Sequence, residues 1–426
     1  MAYSRWWKGF SVRARLLVIL GAFLLVAGVA TYMDHGGGKP PSPDDRQKEG
    51  PLPGKSDVNR TTDELSQALQ SLFERRAEAV VKGDIGLLNS IYSTDASSAL
   101  KHEKRRVRYV KAWAKKRGVR LTGRKVFLEI QYAETRGNLA FVNVWSSMNI
   151  SYIHTNPSTS ATPSGSITRA GRTSGHDQVS PLVFGIRTRH KMVLVCDDKG
   201  WRIRKDDYTD PLGEDTLVPE VAPAAARPDV SLLTLQPAVS HRQKGLGYDR
   251  DAAVAYANRY CGVKLSRDGS FGYNLRYKDY TDLGGDCTNF ISQVLGDREA
   301  GKLPMNDTWN YNYSAGEAAG GSKAWTQTEA FAEHLFSSGI AKCIARGDYY
   351  SVTGSTRQFP RGAINELRKG DLIAYEEKGD IQHFAVVVGR NPAGYVLVNT
   401  HTADRYKVPW DLGWDRKTVF WLIKVL

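Results

Sequence analysis

A thiol in the first turn of a helix, paired with an imidazole on a strand, can break an amide bond, and this chain contains both. Gly284-Gly285-Asp286-Cys287-Thr288-Asn289 leads into Phe290, Ile291, Val294 and Leu295 at helical spacing. The two glycines permit a tight turn with no side chains between backbone and substrate. Asp286 stands at the helix-capping position, so Cys287 falls in the first turn. There the helix dipole and unpaired N–H groups favour an anion and lower a thiol pKa. The same N–H groups can hold an oxyanion. Taken alone, Cys287 is equally well a core residue, because it shares a face with Phe290, Ile291 and Val294. Catalysis requires a base from elsewhere in the chain.

Asp380 to Gly389 supplies one. The alternation predicts a strand with His383 at its start, and His383, Ala385 and Val387 on one face. Asn391-Pro392-Ala393-Gly394 predicts a turn, and Tyr395 to Thr400 a returning strand. That hairpin brings Asn399 and His401, which have the same parity, toward His383. Either can accept from the imidazole N–H and fix its tautomer. The expectation is that Cys287 and His383 lie within or near hydrogen-bond reach, about 3–4.5 Å. Trp309, Tyr311, Tyr313 and Trp325 either wall a cleft or fill the core.

Several separated motifs occur in order: Tyr248-Asp249-Arg250 with Ala253 to Ala257, Asp279-Tyr280, Gly284 to Gln293, His383 with its strand, and His401-Thr402-Ala403-Asp404-Arg405. Together they resemble the bacterial putative-amidase domain family, which is similar to papain-like cysteine hydrolases including cell-wall peptidases. The resemblance covers about residues 247–426. It implies a papain-like α+β domain with a Cys287 nucleophile and a His383 base. The third residue is His401 or Asn399, and Tyr280, Asp286 and Asn289 are the oxyanion or substrate-binding candidates. No metal or organic cofactor is implied, and no particular substrate. An acyltransferase, or a non-catalytic wall-binding module on the same fold, are the rival readings.

The rest of the chain positions and delivers this domain. Its 426 residues suffice for two domains, and 41% hydrophobic content suits a globular protein. Arg5, Lys8, Arg13 and Arg15 precede an apolar run from Leu16 to Met33, so residues 1–33 are expected to be a signal peptide or membrane anchor, with the bulk of the chain exported. Residues 34–60, rich in Gly and Pro, read as a flexible linker. Residues 61–210 read as helices followed by an antiparallel sheet, starting at the capping pattern Thr61-Thr62-Asp63-Glu64. By element order this region resembles nuclear-transport-factor-like or cystatin-like domains. Residues 155–180, rich in Ser, Thr and Gly, predict a long loop within it. Residues 211–246 read as a Pro/Ala-rich linker. The fold class is therefore α+β throughout.

The net charge of +14 is concentrated in residues 101–120, where Lys104, Arg105, Arg106, Arg108, Lys111, Lys115, Lys116 and Arg117 oppose Glu103 alone. This predicts either a solvated helix face or contact with an anionic polymer or anionic lipid. Export and the absence of a binding motif argue against nucleic acid. Cys196, Cys261, Cys287 and Cys343 show no metal-ligand spacing and no disulfide framework. The implied partner is an amide-containing substrate, with peptidoglycan peptide as the candidate from location and fold analogy.

Overall fold

The computed structural model describes residues 55–155, 180–212, 218, 247–266, 272–314 and 319–426, with side chains from Asp63 onward. The expected N-terminal anchor, its tether, nearly all of the 155–180 loop and most of the 211–246 linker lie outside the described residues. Among the described residues no helix is long and apolar enough to cross a membrane. Residues Ser66–Leu426 form one compact unit, which holds every described element except the start of the first helix.

Helix α1 spans Lys55–Lys82, so the chain is already helical before Thr61, where the capping pattern placed its start. A 3-10 turn at Ile85–Ser90 leads to α2, Ser97–Lys116. Four antiparallel strands follow: β1 Val119–Arg136, β2 Leu139–His154, β3 Leu182–Asp197 and β4 Gly200–Asp207. As expected, α2 buries Val107, Val110 and Trp113. Lys101, Arg105, Arg108, Lys111 and Lys115 are exposed. The expectation that the charges of this helix all point outward is corrected at three residues. Glu103 and Arg106 are buried, and the Arg117 side chain is sealed in an ion pair. The first two join a network in which Arg76 binds Asp206 at 2.7 Å and also Glu103, while Arg106 faces Asp210 at 3.2 Å. His190 sits between Asp206 (2.8 Å) and Thr188 (2.7 Å) beside a cavity of about 20 Å³. That is room for about one water. Buried charges survive only when paired, and each of these faces an opposite charge, although Arg106 Nε and Glu103 Oε2 make no hydrogen bond.

The second half opens with α3, Arg250–Arg259, capped by the Asp249 carboxylate. Helix α4 is Cys287–Gly296. The short hairpin β5 Tyr311–Asn312 and β6 Gly320–Gly321 precedes α5 Lys323–Thr326 and α6 Thr328–Ser337. Then come β7 Ala341–Gly347, α7 Tyr349–Thr353, β8 Leu372–Glu377, β9 Asp380–Arg390, β10 Val396–Thr400, β11 Asp404–Pro409 and β12 Val419–Val425. The His383 strand and its hairpin are thus where the alternation placed them.

The strands of the two halves form a single antiparallel sheet, in the order β1-β2-β3-β11-β10-β9-β8-β12-β7, with β4 also on β3. The junction is β3 with β11, at Arg187↔Asp404, Ile186↔Arg405 and Gly185↔Tyr406. Two residue sets sandwich the β8–β12 region. On one face Phe384, Val386 and Val388 of β9 pack with Ala253 and Ala257 of α3, Phe290, Ile291 and Val294 of α4, and Phe331 of α6. On the other, Ala385 and Val387 pack with Val396 and Val398 of β10, Ile373 and Tyr375 of β8, and Trp410 and Trp414. Cover on both faces explains why β9 is buried at every position from His383 to Val388, although a half-exposed strand would alternate.

Candidate active site

Gly284 and Gly285 both take positive φ, 115° and 128°, and so make the tight turn before α4. The turn is held from outside, because the Asp286 N–H donates to Thr402 Oγ1 at 2.6 Å. Asp286 occupies the capping position without capping the helix by its side chain. One carboxylate oxygen accepts from the Tyr280 N–H (2.9 Å) and Asn289 Nδ2 (2.8 Å), and the other meets His401 Nδ1 at 2.6 Å. The side chain is turned back under the loop, where it anchors the glycine turn before Cys287.

Cys287 opens α4 as expected and is 6% exposed. Its Sγ lies 3.8 Å from Thr288 Oγ1. Burial pushes the thiol above its ordinary value, against the opposing pull of the Phe384 N–H and the Thr288 hydroxyl. The expected first-turn lowering is therefore outweighed: taking a thiolate out of water costs more than a helix terminus returns. Phe384 directly follows His383, so the thiol meets β9 well inside the strand, where His383 is the fourth residue rather than the expected start.

The His383 ring is buried, and its Nε2 faces Thr400 Oγ1 at 2.8 Å. The same hydroxyl lies 2.7 Å from Phe384 O. A hydroxyl donating to that carbonyl accepts from His383 Nε2–H, which fixes the tautomer and leaves Nδ1 able to take a proton. Burial lowers the His383 pKa to about 3, assisted by the Arg405 guanidinium and the His401 imidazole. Tyr375 and Trp414 flank the ring at 6.0 and 5.8 Å between centroids. Among the described residues no hydrogen bond joins the Cys287 thiol to the His383 ring. The His383 ring lies with Tyr375 and Trp414, whereas Phe290, Ile291 and Val294 of α4 pack on the other face of the sheet; the β9 pairing with β8 shifts register between Ile381 and His383.

Neither expected third residue occupies the place beside His383. Antiparallel pairing of Val398 with Val387 and Asn399 with Val386 puts even-numbered β10 residues on the face of odd-numbered β9 residues. Thr400 therefore meets the ring. Asn399 points the other way, donating to Ala257 O and Asn258 Oδ1 (both 3.0 Å) and accepting the Lys407 N–H at 2.7 Å. His401 is clasped between Tyr273 and Phe290, with ring centroids at 3.8 and 3.9 Å. Its Nδ1 meets Asp286 and its Nε2 meets Tyr260 O at 2.6 Å. Both partners are acceptors, so the ring carries both protons. Burial opposes that charge, but the Asp286 hydrogen bond and carboxylate hold the His401 pKa above its usual value.

The remaining candidates are structural in their contacts. Asn289 donates to Lys278 O and Asp286 and accepts from Trp325 Nε1 at 2.9 Å. The Tyr280 hydroxyl accepts the Gly321 N–H at 3.0 Å. Trp309, Tyr311 and Trp325 are core, while Tyr313 is 54% exposed. Among the described residues no group of His, Cys, Asp and Glu side chains is arranged to hold a metal ion, and the four cysteines are unbridged. Thr400 and Arg405 were not singled out by the sequence reading for the parts they play; the parity of the hairpin register was the signal that points to Thr400.

Relatives of the chain match parts of it. An uncharacterized protein of Bacillus subtilis (strain 168), YhbB, is 27% identical over 196 residues, which is 44% of this chain and 53% of that protein. The chain thus spans about half the length of this relative. Among solved structures, a nuclear transport factor 2-like protein from Salmonella enterica overlaps 35% of the chain and 92% of its own length, at 13% identity and a TM-score of 0.21. A Kribbella flavida protein overlaps 35% of the chain and 91% of its own length, at 8% identity and a TM-score of 0.22. Overlaps at such scores bear on neither mechanism nor substrate. Residues 247–423, which contain the Cys287 turn, the His383 strand and Thr400, match the family described as the putative amidase domain.

Proposed function

We propose that the C-terminal half is a thiol-dependent amide hydrolase, with Cys287 as nucleophile, His383 as general base and Thr400 as the residue that holds the imidazole. The observation that carries this reading is the His383–Thr400 hydrogen bond, which leaves Nδ1 to take a proton on the residue next to Phe384, whose N–H meets the Cys287 thiol. It lies inside the segment matched by the amidase family.

In this mechanism Cys287 is a neutral thiol at rest and His383 a neutral imidazole. The sulfur attacks the amide carbonyl as His383 Nδ1 takes the thiol proton, forming the C–S bond. The first-turn amides of α4 face the developing oxyanion. His383 then returns the proton to the leaving nitrogen as the C–N bond breaks. Water, deprotonated by the same ring, opens the thioester and releases the acid. An amine in place of water would give acyl transfer, which product analysis separates. Peptide stems of a cell wall suit an exported enzyme of this kind, and the exposed cations of α2 suit an anionic surface. Cys287→Ser and His383→Ala should each abolish turnover on peptide amides while leaving the thermal melt within a few degrees. Retained turnover in Cys287→Ser would remove the thiol mechanism.

A further inference from the structure

Helix α2 and the residue after it bury three large side chains with polar heads: Tyr109, Trp113 and Arg117. Such heads need partners when taken out of water. All three find them in one loop of the other half, residues 410–414. Trp113 Nε1 donates to Asp411 Oδ1 at 3.1 Å, and Arg117 Nε to Asp411 Oδ2 at 2.7 Å, with both side chains of the ion pair 2% exposed. The Tyr109 hydroxyl donates to Trp414 O at 2.7 Å and accepts the Gly413 N–H at 2.9 Å. Gly413 has φ 96°, and a Cβ there would lie 2.1 Å from Pro211 O, so the loop passes against the first half at backbone distance.

The other side of this loop is part of the candidate site. Trp414 stacks on Tyr375 at 4.0 Å and lies 5.8 Å from the His383 ring. Arg405 of β11 donates to Leu412 O in the loop and to Pro211 O in the first half, and its guanidinium lies over the Trp414 ring. The first half also reaches the nucleophile turn, through the Arg189–Asp282 ion pair.

We propose that Tyr109, Trp113 and Arg117 are positioning residues of the hydrolase site: they clamp the 410–414 loop, and the loop holds Trp414 against the His383 imidazole. The inference rests on the proposed Cys287–His383 chemistry. It assigns the first half a role in that chemistry through contacts alone, with no catalytic group of its own. The groups around His383 are Tyr375 from β8, Arg405 from β11, Thr400 and His401 from the end of β10, Trp414 from the loop, and Cys287 from α4 at the adjoining residue. Releasing the loop admits water to the ring, so an imidazole kept neutral by burial titrates at higher pH.

The test uses the full chain and iodoacetamide as the probe of the Cys287 thiol, with the alkylation rate followed against pH and the site identified by peptide mass. Tyr109→Phe removes one hydroxyl, and the rate should change by at least about fivefold, the effect of one ordinary hydrogen bond. The inflection due to His383 should move to higher pH. Arg117→Lys should move it in the same direction and decides the matter if Tyr109→Phe does not fold. Leu194→Ala, in the buried interior of the first half further along β3, should lower the melting temperature without moving the inflection. A wild-type profile in Tyr109→Phe and Arg117→Lys overturns the inference, as does an equal movement in Leu194→Ala. His383→Ala separates the layers: if it too leaves the profile unchanged, the base assignment falls with the clamp. If it alone alters the profile, only the clamp falls.

Discussion

Thr400→Val is the sharpest perturbation of the site, because it keeps the shape and removes one hydroxyl. Thr400 is fully buried, so no water replaces the lost group without rearrangement. Three polar atoms lose a partner: His383 Nε2 at 2.8 Å, Phe384 O at 2.7 Å and His401 O at 3.0 Å. Leaving a buried polar group unsatisfied costs about 1–3 kcal/mol. If that cost falls on the orientation of the imidazole in the transition state, kcat/KM drops about 5- to 150-fold. The ring is also released to adopt the other tautomer, so the loss should appear in kcat with little change in KM. The assay is amine release from a panel of peptide amides, beside the alkylation rate of Cys287. Thr400→Ser keeps the hydroxyl and should retain most of the activity. A folded Thr400→Val with wild-type kcat/KM, while Cys287→Ser is inactive, would show that something other than Thr400 orients the base.

Two further predictions concern stability. Asp286→Asn leaves the His401 imidazolium buried beside a neutral amide, so urea unfolding should show a loss of about 3–5 kcal/mol, the usual cost of removing one partner of a buried pair; a loss below about 1 kcal/mol would mean that His401 is neutral in the folded chain. Acid should destabilise the protein through His383: between its ordinary value of 6.5 and the folded value of about 3 the unfolded chain binds a proton that the folded chain does not. His401 acts in the opposite sense, its contribution being complete below 6.5 and lost as pH rises through its raised folded value. His383→Ala should therefore flatten the acid side of the plot of stability against pH, and an unchanged slope would refute a buried neutral ring.

Local chemistry in this chain was readable wherever it depended on local pattern. The helix at Cys287, the strand at His383, the paired glycines and the returning strand all follow from spacing and turn residues, and the structure has them where they were placed. The third residue was not readable in the same way. Parity along one strand says which residues share a face, but the pairing register decides which parity of the partner strand joins them. Here the pairing of Asn399 with Val386 gives the hydrogen bonds of the expected Asn399 and His401 to other partners and brings the Thr400 hydroxyl to the ring. Charge misled for a related reason. A run of Lys and Arg on a helix looks solvated, yet Arg106 and Arg117 are buried because Asp210 and Asp411, distant in sequence, come to meet them.

The joining of the two halves was the least legible feature, and it bears most on function. A strand edge shows nothing in sequence of what will pair with it. The β3 and β11 segments read as parts of separate units, but their ladder makes one sheet of both, with Arg187 facing Asp404 across the junction at 3.9 Å. Asp404 sits in turn beneath the Tyr273 hydroxyl at 2.6 Å, and Tyr273 stacks on the His401 that holds Asp286 and the nucleophile turn. Burial raises the Asp404 pKa to about 6, opposed by His401, Tyr273 and Arg187. A continuous line of packed and hydrogen-bonded groups thus runs from a strand of the first half to the turn that carries Cys287. A second runs from α2 through Asp411 and Trp414 to His383. Cys287 and His383 are each braced by the same neighbour, so the placing of both side chains depends on how the first half is seated.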